Sequence, residues 1–248
     1  MSGSSCRVIR TISALLAVVI AAACGSQAPS TSLTVFAASS LQPPFQRLGA
    51  PWNVKSITFN FAGTQTLTSQ LMQGAEADVF AAADTEHMRQ LVSAGLIESD
   101  PLVFAHNSLE IAVAPGNPKG IHELRDLARP GLVVVLADSS VPAGKYAKQA
   151  LDKAGVRVQA ASLETQVTGV LSKVAIGEAD AGIVYRSDII TSRKVEGIRI
   201  PDAQNVIADY TIAIPKSAKN REGAIAFINM LVSGAGATVL LATGLQPA

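Results

Sequence analysis

The chain reads as an α/β protein with a mostly parallel sheet flanked by helices, on three observations. Strand-like runs alternate with helix-periodic ones almost throughout, the pattern of parallel sheets with helices on their faces. The strand-like runs are continuously apolar rather than alternating, which suits strands buried on both sides. At several points an apolar run passes through Ser, Thr, Gly or Ala straight into a helix-periodic segment: LTVFAASSL (33–41), NFAGTQTL (60–67) and VPAGKYAKQAL (141–151).

The first 23 residues read as a removable leader. Arg7 and Arg10 precede an apolar stretch from Ile12 to Ala23, too short and wrongly flanked for a membrane-spanning helix. Ala21-Ala22-Ala23-Cys24-Gly25 resembles a bacterial lipobox, with Cys24 as the lipid-bearing residue. The alternative is ordinary signal cleavage with Cys24 incidental. Residues 24–32, rich in Ser, Gln and Pro, form a lipid-anchored tether in this reading.

Beyond the tether, strands are expected at Leu33–Ala37, Ser56–Phe61, Asp78–Ala82, Leu109–Ala114, Leu132–Ala137, Arg157–Ala161, Ala181–Tyr185 and Tyr210–Ile214. Between them run helices with apolar spacing of three and four: Leu41, Phe45 and Leu48; Leu67 and Leu71; Met88, Leu91 and Val92; Ala147, Ala150, Leu151 and Ala154; Val167, Val170, Leu171 and Val174; Ala224, Phe227, Ile228 and Leu231. These stripes are packing. Pro43 and Pro44 suit a first helical turn, Asp84 suits a helix start, and Gly95 and Gly155 suit helix ends. The strongest internal break is Pro115-Gly116-Asn117-Pro118, and another apolar strand ends at Pro215. Strands near these breaks are expected to cross between lobes, residues 33–112 plus 211–248 forming one lobe and 113–210 an inserted second.

Composition narrows the function. Once the leader is removed, 18 Lys and Arg face 19 Asp and Glu. This near-neutral balance gives no basic face for nucleic acid or an anionic membrane. Cys24 is then the only cysteine, so no disulfide or thiolate metal site is expected. His87, His106 and His122 lack ligand spacing and read as surface or capping residues.

The strand-to-helix junctions carry the chemistry. A helix start presents unpaired backbone N–H groups at the positive end of its dipole, and small hydroxyls there add donors without charge. Several such starts point to a receptor for a small oxyanion. Ser40 and Thr64 could instead be plain helix caps, Val167 core, and Tyr185 a core tyrosine. Lys145 reads as a solvated lysine rather than a ligand, and Asp138 and Asp188 as loop braces. A nucleophilic role for Ser40 is disfavoured, because no G-x-S-x-G elbow occurs and no site motif contains a histidine base.

FAASSL (36–41), NFAGTQTL (60–67), ADVFAAAD (77–84), VPAGKYAKQAL (141–151) and GIVYRSD (182–188), taken in order, resemble the periplasmic molybdate-binding proteins, the solute receptors of molybdate ABC importers. The resemblance covers almost everything after the tether. It implies a two-lobed type II periplasmic-binding-protein fold, no enzymatic activity, no cofactor, and an oxyanion held between the lobes. It also implies delivery of molybdate, and of tungstate, to ABC permease subunits by a monomer anchored through Cys24 outside the cytoplasmic membrane. By motif, the implied ligands are the hydroxyls of Ser40, Thr64 and Tyr185 and the backbone N–H groups of Ala143 and Val167. Thr64 stands where the family usually has serine. A sulfate or other tetrahedral oxyanion receptor is the alternative.

Overall fold

A computed structural model describes residues 32–248; the predicted leader, tether and Cys24 lie outside them, apart from Ser32. In chain order the strands are β1 (Ser32–Ala38), β2 (Ser56–Ala62), β3 (Val79–Ala82), β4 (Leu102–Asn107), β5 (Leu109–Val113), β6 (Val134–Ala137), β7 (Ser162–Glu164), β8 (Ala181–Tyr185), β9 (Glu196–Arg199), β10 (Ala208–Ala213) and β11 (Gln246–Pro247). The helices are α1 (Gln42–Leu48), α2 (Thr64–Met72), α3 (Glu86–Ser93), α4 (Pro142–Ala154), α5 (Val167–Ala175), α6 (Arg186–Ser192), α7 (Arg221–Val232) and α8 (Gly234–Ala242).

Two sheets result, ordered β11-β4-β10-β3-β1-β2 and β7-β6-β8-β5-β9. They are mixed rather than mostly parallel. Around β1 and β6 the pairs are parallel, as expected where a helix carries the chain back between strands. The strands that enter from the other lobe run the opposite way: β10 is antiparallel to β3 and β4, and β5 to β8 and β9. The chain leaves the first sheet after Asn107, enters the second at Leu109, and returns between Arg199 and Ala208. Both passages lie a few residues ahead of the boundaries expected at 112/113 and 210/211.

The strand expected at Arg157–Ala161 is irregular backbone, and pairing with β6 begins only where the Ala161 N–H donates to the Val134 carbonyl. After the left-handed turn at Gly155 the chain needs those residues to return from the end of α4 to the sheet edge. Strands β4 and β9 were not foreseen; β4 ends in His106 and Asn107, and β9 carries Glu196 and Arg199, so neither forms a purely apolar run.

Packing fixes each lobe separately. Phe45 of α1 lies among Phe59, Phe104 and Phe227, edge-on to Phe227 with ring centroids 5.3 Å apart, and the first sheet closes over these rings. Asp78 takes the backbone N–H groups of Thr34, Lys219 and Asn220, each at 2.7 Å, tying β1 to the start of α7. At the crossings, the Asn205 side chain accepts from the Leu109 N–H at 3.1 Å and donates to the Leu109 carbonyl at 2.9 Å. One buried amide therefore pins the outgoing and returning segments together.

Candidate functional site

Between the lobes lies a small cavity of about 10 Å³, lined by Ala38, Ser39, Gly63, Thr64, Ala83, Val141, Pro142, Ala143, Val167 and Tyr185. A volume of that size, open to the centre of a water-sized sphere, corresponds to a space roughly 5 Å across. It is the size of one small polyatomic ion. No Asp, Glu, His, Lys or Arg lines it.

Four helix starts converge on it: the 3-10 turn Ser39–Leu41, α2, α4 and α5. None of the four is capped by a side chain. Their first N–H groups therefore lack the partner that an ordinary N-cap supplies, and an anion in the cavity would take that place. The sequence dictates this arrangement. β1 runs into Ser39, β2 into Gly63 and Thr64, and Pro142 opens α4 without an N–H, so Ala143 carries the first free one.

The hydroxyls are not used as caps. Thr64 Oγ1 accepts the Ala83 N–H at 3.2 Å, so its own proton is available to the cavity. The Tyr185 hydroxyl, fully buried at the end of β8, has no hydrogen-bond partner among the described residues. Burial holds its phenol well above the usual tyrosine range, so it remains a neutral donor. Leaving a buried hydroxyl unpaired costs about 1–3 kcal/mol, a cost that a bound acceptor would relieve.

Thr64, Ala143, Val167 and Tyr185 are brought together here. Ser40 is not among the lining residues; its neighbour Ser39 is. The buried Ser40 hydroxyl lies 2.9 Å from the Tyr210 hydroxyl. Lys145 stands outside the cavity and pairs with Glu86 of α3, and this pairing holds the Glu86 carboxyl below the usual range. The Gln65 amide donates to the Thr165 carbonyl at 2.7 Å. Both contacts join the first lobe to the second. The three histidines lie elsewhere: His87 bonds Asp84, His106 bonds Asp209, and the His122 N–H meets Asp126. Asp84 also accepts the His87 N–H at 3.0 Å and so holds the first turn of α3.

Ser39, Gly63, Ala83 and Val141 were missed as lining residues, and so was Tyr210 behind them. The one legible signal was Asp209-Tyr210-Thr211, a polar run inside an otherwise apolar strand.

Asp188, at the start of α6, accepts the Tyr185 N–H at 3.0 Å. Burial outweighs that bond and pushes its carboxyl up to about 7. The folded protein then keeps a proton that the unfolded chain, with an ordinary aspartate near 4, has released. Stability from this source is fully present below about pH 4 and is lost as pH rises through about 7. Asp188→Asn should remove a decline of about 1.4 kcal/mol per pH unit across that interval. Denaturant unfolding of parent and variant at several pH values checks this; parallel curves would refute it.

The chain matches the family described as bacterial extracellular solute-binding proteins over residues 33–246. It is 40% identical over 237 residues to the molybdate-binding protein ModA of Mycobacterium tuberculosis, covering 90% of this chain and 91% of the relative. The molybdate-binding protein ModA of Haemophilus influenzae is 31% identical over 245 residues, covering 92% of this chain and 95% of the relative. Among solved structures, the periplasmic molybdate-binding protein of Azotobacter vinelandii superposes with a TM-score of 0.74 at 20% identity, covering 86% of this chain and 98% of that one.

Proposed function

The chain belongs to the bacterial extracellular solute-binding proteins, and we propose that its cargo is molybdate, with tungstate accepted alongside, for delivery to the permease of an ABC importer. It binds rather than catalyses, and needs no resident cofactor. The observation that carries this reading is the convergence of four uncapped helix starts and two hydroxyls, Thr64 and Tyr185, on one cavity without a charged side chain. Such a site offers donors all round. Bonds to a charged acceptor contribute roughly 1.5–3 kcal/mol each, so several together offset much of a dianion's dehydration. A hydrogen phosphate would need an acceptor for its proton, and no carboxylate or imidazole lines the cavity. A serine-dependent hydrolase would need a base there and finds none.

The proposed ligands are Ser40, Thr64, Ala143, Val167 and Tyr185, with Ser39 added by the cavity lining. Tyr185→Phe deletes a single hydroxyl that has no partner among the described residues, so binding should weaken by roughly 1–3 kcal/mol with little change in fold stability. Calorimetric titration with molybdate, beside thermal unfolding, checks both halves. Parent-like binding by that variant would place the anion elsewhere.

Membership of an extracellular family implies export. The finer proposal is that a lipid on Cys24 holds a monomer at the outer face of the cytoplasmic membrane. Cys24→Ser should then move the protein into the soluble fraction with molybdate binding intact, and persistence in washed membranes would refute the anchor.

A further inference from the structure

We propose that Tyr210, itself held by Asn107, is a positioning residue that aims the Ser40 hydroxyl proton at the bound anion; this rests on the oxyanion reading above. The Asn107 side-chain nitrogen lies 3.3 Å from the Tyr210 hydroxyl and 2.8 Å from Ser187 Oγ, while its oxygen accepts the Ser108 N–H. An amide nitrogen can only donate. The phenol oxygen is therefore an acceptor toward Asn107, and its one proton is free for Ser40 Oγ, 2.9 Å away. Once Ser40 accepts that proton, its own is free, and an anion that offers only acceptors takes it.

Thr64 has the same polarity. Its oxygen accepts from Ala83 behind it, so both first-lobe hydroxyls are oriented by a donor on the far side. Chains of hydrogen bonds running one way polarise each other. Tyr210 also lies behind a second donor, its ring edge-on to Tyr185 with centroids 5.6 Å apart, and Phe104 holds its other side at 6.3 Å. Asn107 closes β4 and Tyr210 lies in β10, the strands on either side of the lobe crossings, while Ser187 belongs to the second lobe. The orientation of Ser40 is thus set from the crossing itself.

The test is a double-mutant cycle on the mature protein, titrated calorimetrically with sodium molybdate. Tyr210→Phe keeps both ring contacts and should weaken binding about tenfold. In a Ser40→Ala background the same change should cost less than about twofold, because the proton it aims is gone. A structural role alone would lower thermal stability and reduce affinity by the same factor in both backgrounds, and that result overturns the proposal. Asn107→Leu removes the donor one step back; its loss should likewise vanish with Ser40→Ala, and it carries the test if Tyr210→Phe does not fold. A parent that binds no molybdate overturns the oxyanion reading and this inference with it. A parent that binds, with Tyr210→Phe unchanged, overturns the inference alone.

Discussion

Molybdate and tungstate should bind at least about a thousandfold more tightly than sulfate, a difference of about 4 kcal/mol. All three ions are tetrahedral dianions that accept hydrogen bonds and donate none, so charge and donor chemistry cannot separate them. Size can. The proposed donors are mainly backbone N–H groups fixed by the ends of separate helices, each packed into its own lobe, and they cannot follow a smaller ion inward without disturbing that packing. A shorter anion would leave some donors desolvated and unpaired, and each such loss is costly. Parallel calorimetry with molybdate, tungstate, sulfate and phosphate measures the preference. Sulfate bound as tightly as molybdate would sink the assignment.

Gly63→Ala should reduce molybdate affinity by about a hundredfold or more while leaving the unliganded fold almost as stable as before. Gly63 precedes α2 with φ −59° and ψ 139°, a conformation alanine adopts freely, so no backbone strain follows within its own lobe. A Cβ there, however, would lie 2.6 Å from the Thr165 carbonyl oxygen and about as close to the Gln65 side chain. The glutamine can swing away. The carbonyl belongs to the opposite lobe and can retreat only if the cleft opens. Small-angle scattering with saturating molybdate would then report a wider molecule than the parent, and unaltered binding would mean that the lobes meet differently.

Much of the candidate cavity was legible because it is built at strand-to-helix junctions, where residue order alone puts small residues next to a helix start. Thr64, Ala143, Val167 and Tyr185, which line the cavity, were named through the family resemblance; residue spacing alone left them as caps or core. Ser40 was harder. In Ala38-Ser39-Ser40-Leu41 two adjacent serines look alike, and only Tyr210, 170 residues away, shows that the second hydroxyl is bonded to a residue behind the lining. Gly63 could be read as a junction, but its contact with Thr165 depends on how two lobes meet. The mixed strand directions were invisible for the same reason: periodicity reports what is buried, not the direction from which a strand arrives. The strand at Leu102–Asn107 went unseen because His106 and Asn107 interrupt its apolar run, and Asn107 is among the residues that link the lobes.

The Lys145–Glu86 pair and the Gln65 bond to Thr165 span the mouth of the cleft without lining the cavity. They therefore favour the closed arrangement whether or not an anion is inside. An apparent dissociation constant is the intrinsic one divided by the fraction of empty protein already closed. These two contacts act on that fraction, which is the same for every anion. Strengthening or cutting them scales the affinities for molybdate, tungstate and sulfate by one common factor and leaves their ratios untouched. How tightly the receptor holds its cargo and which cargo it prefers are thus governed by separate residues, so strength of capture can drift with the scarcity of the ion while discrimination stays fixed.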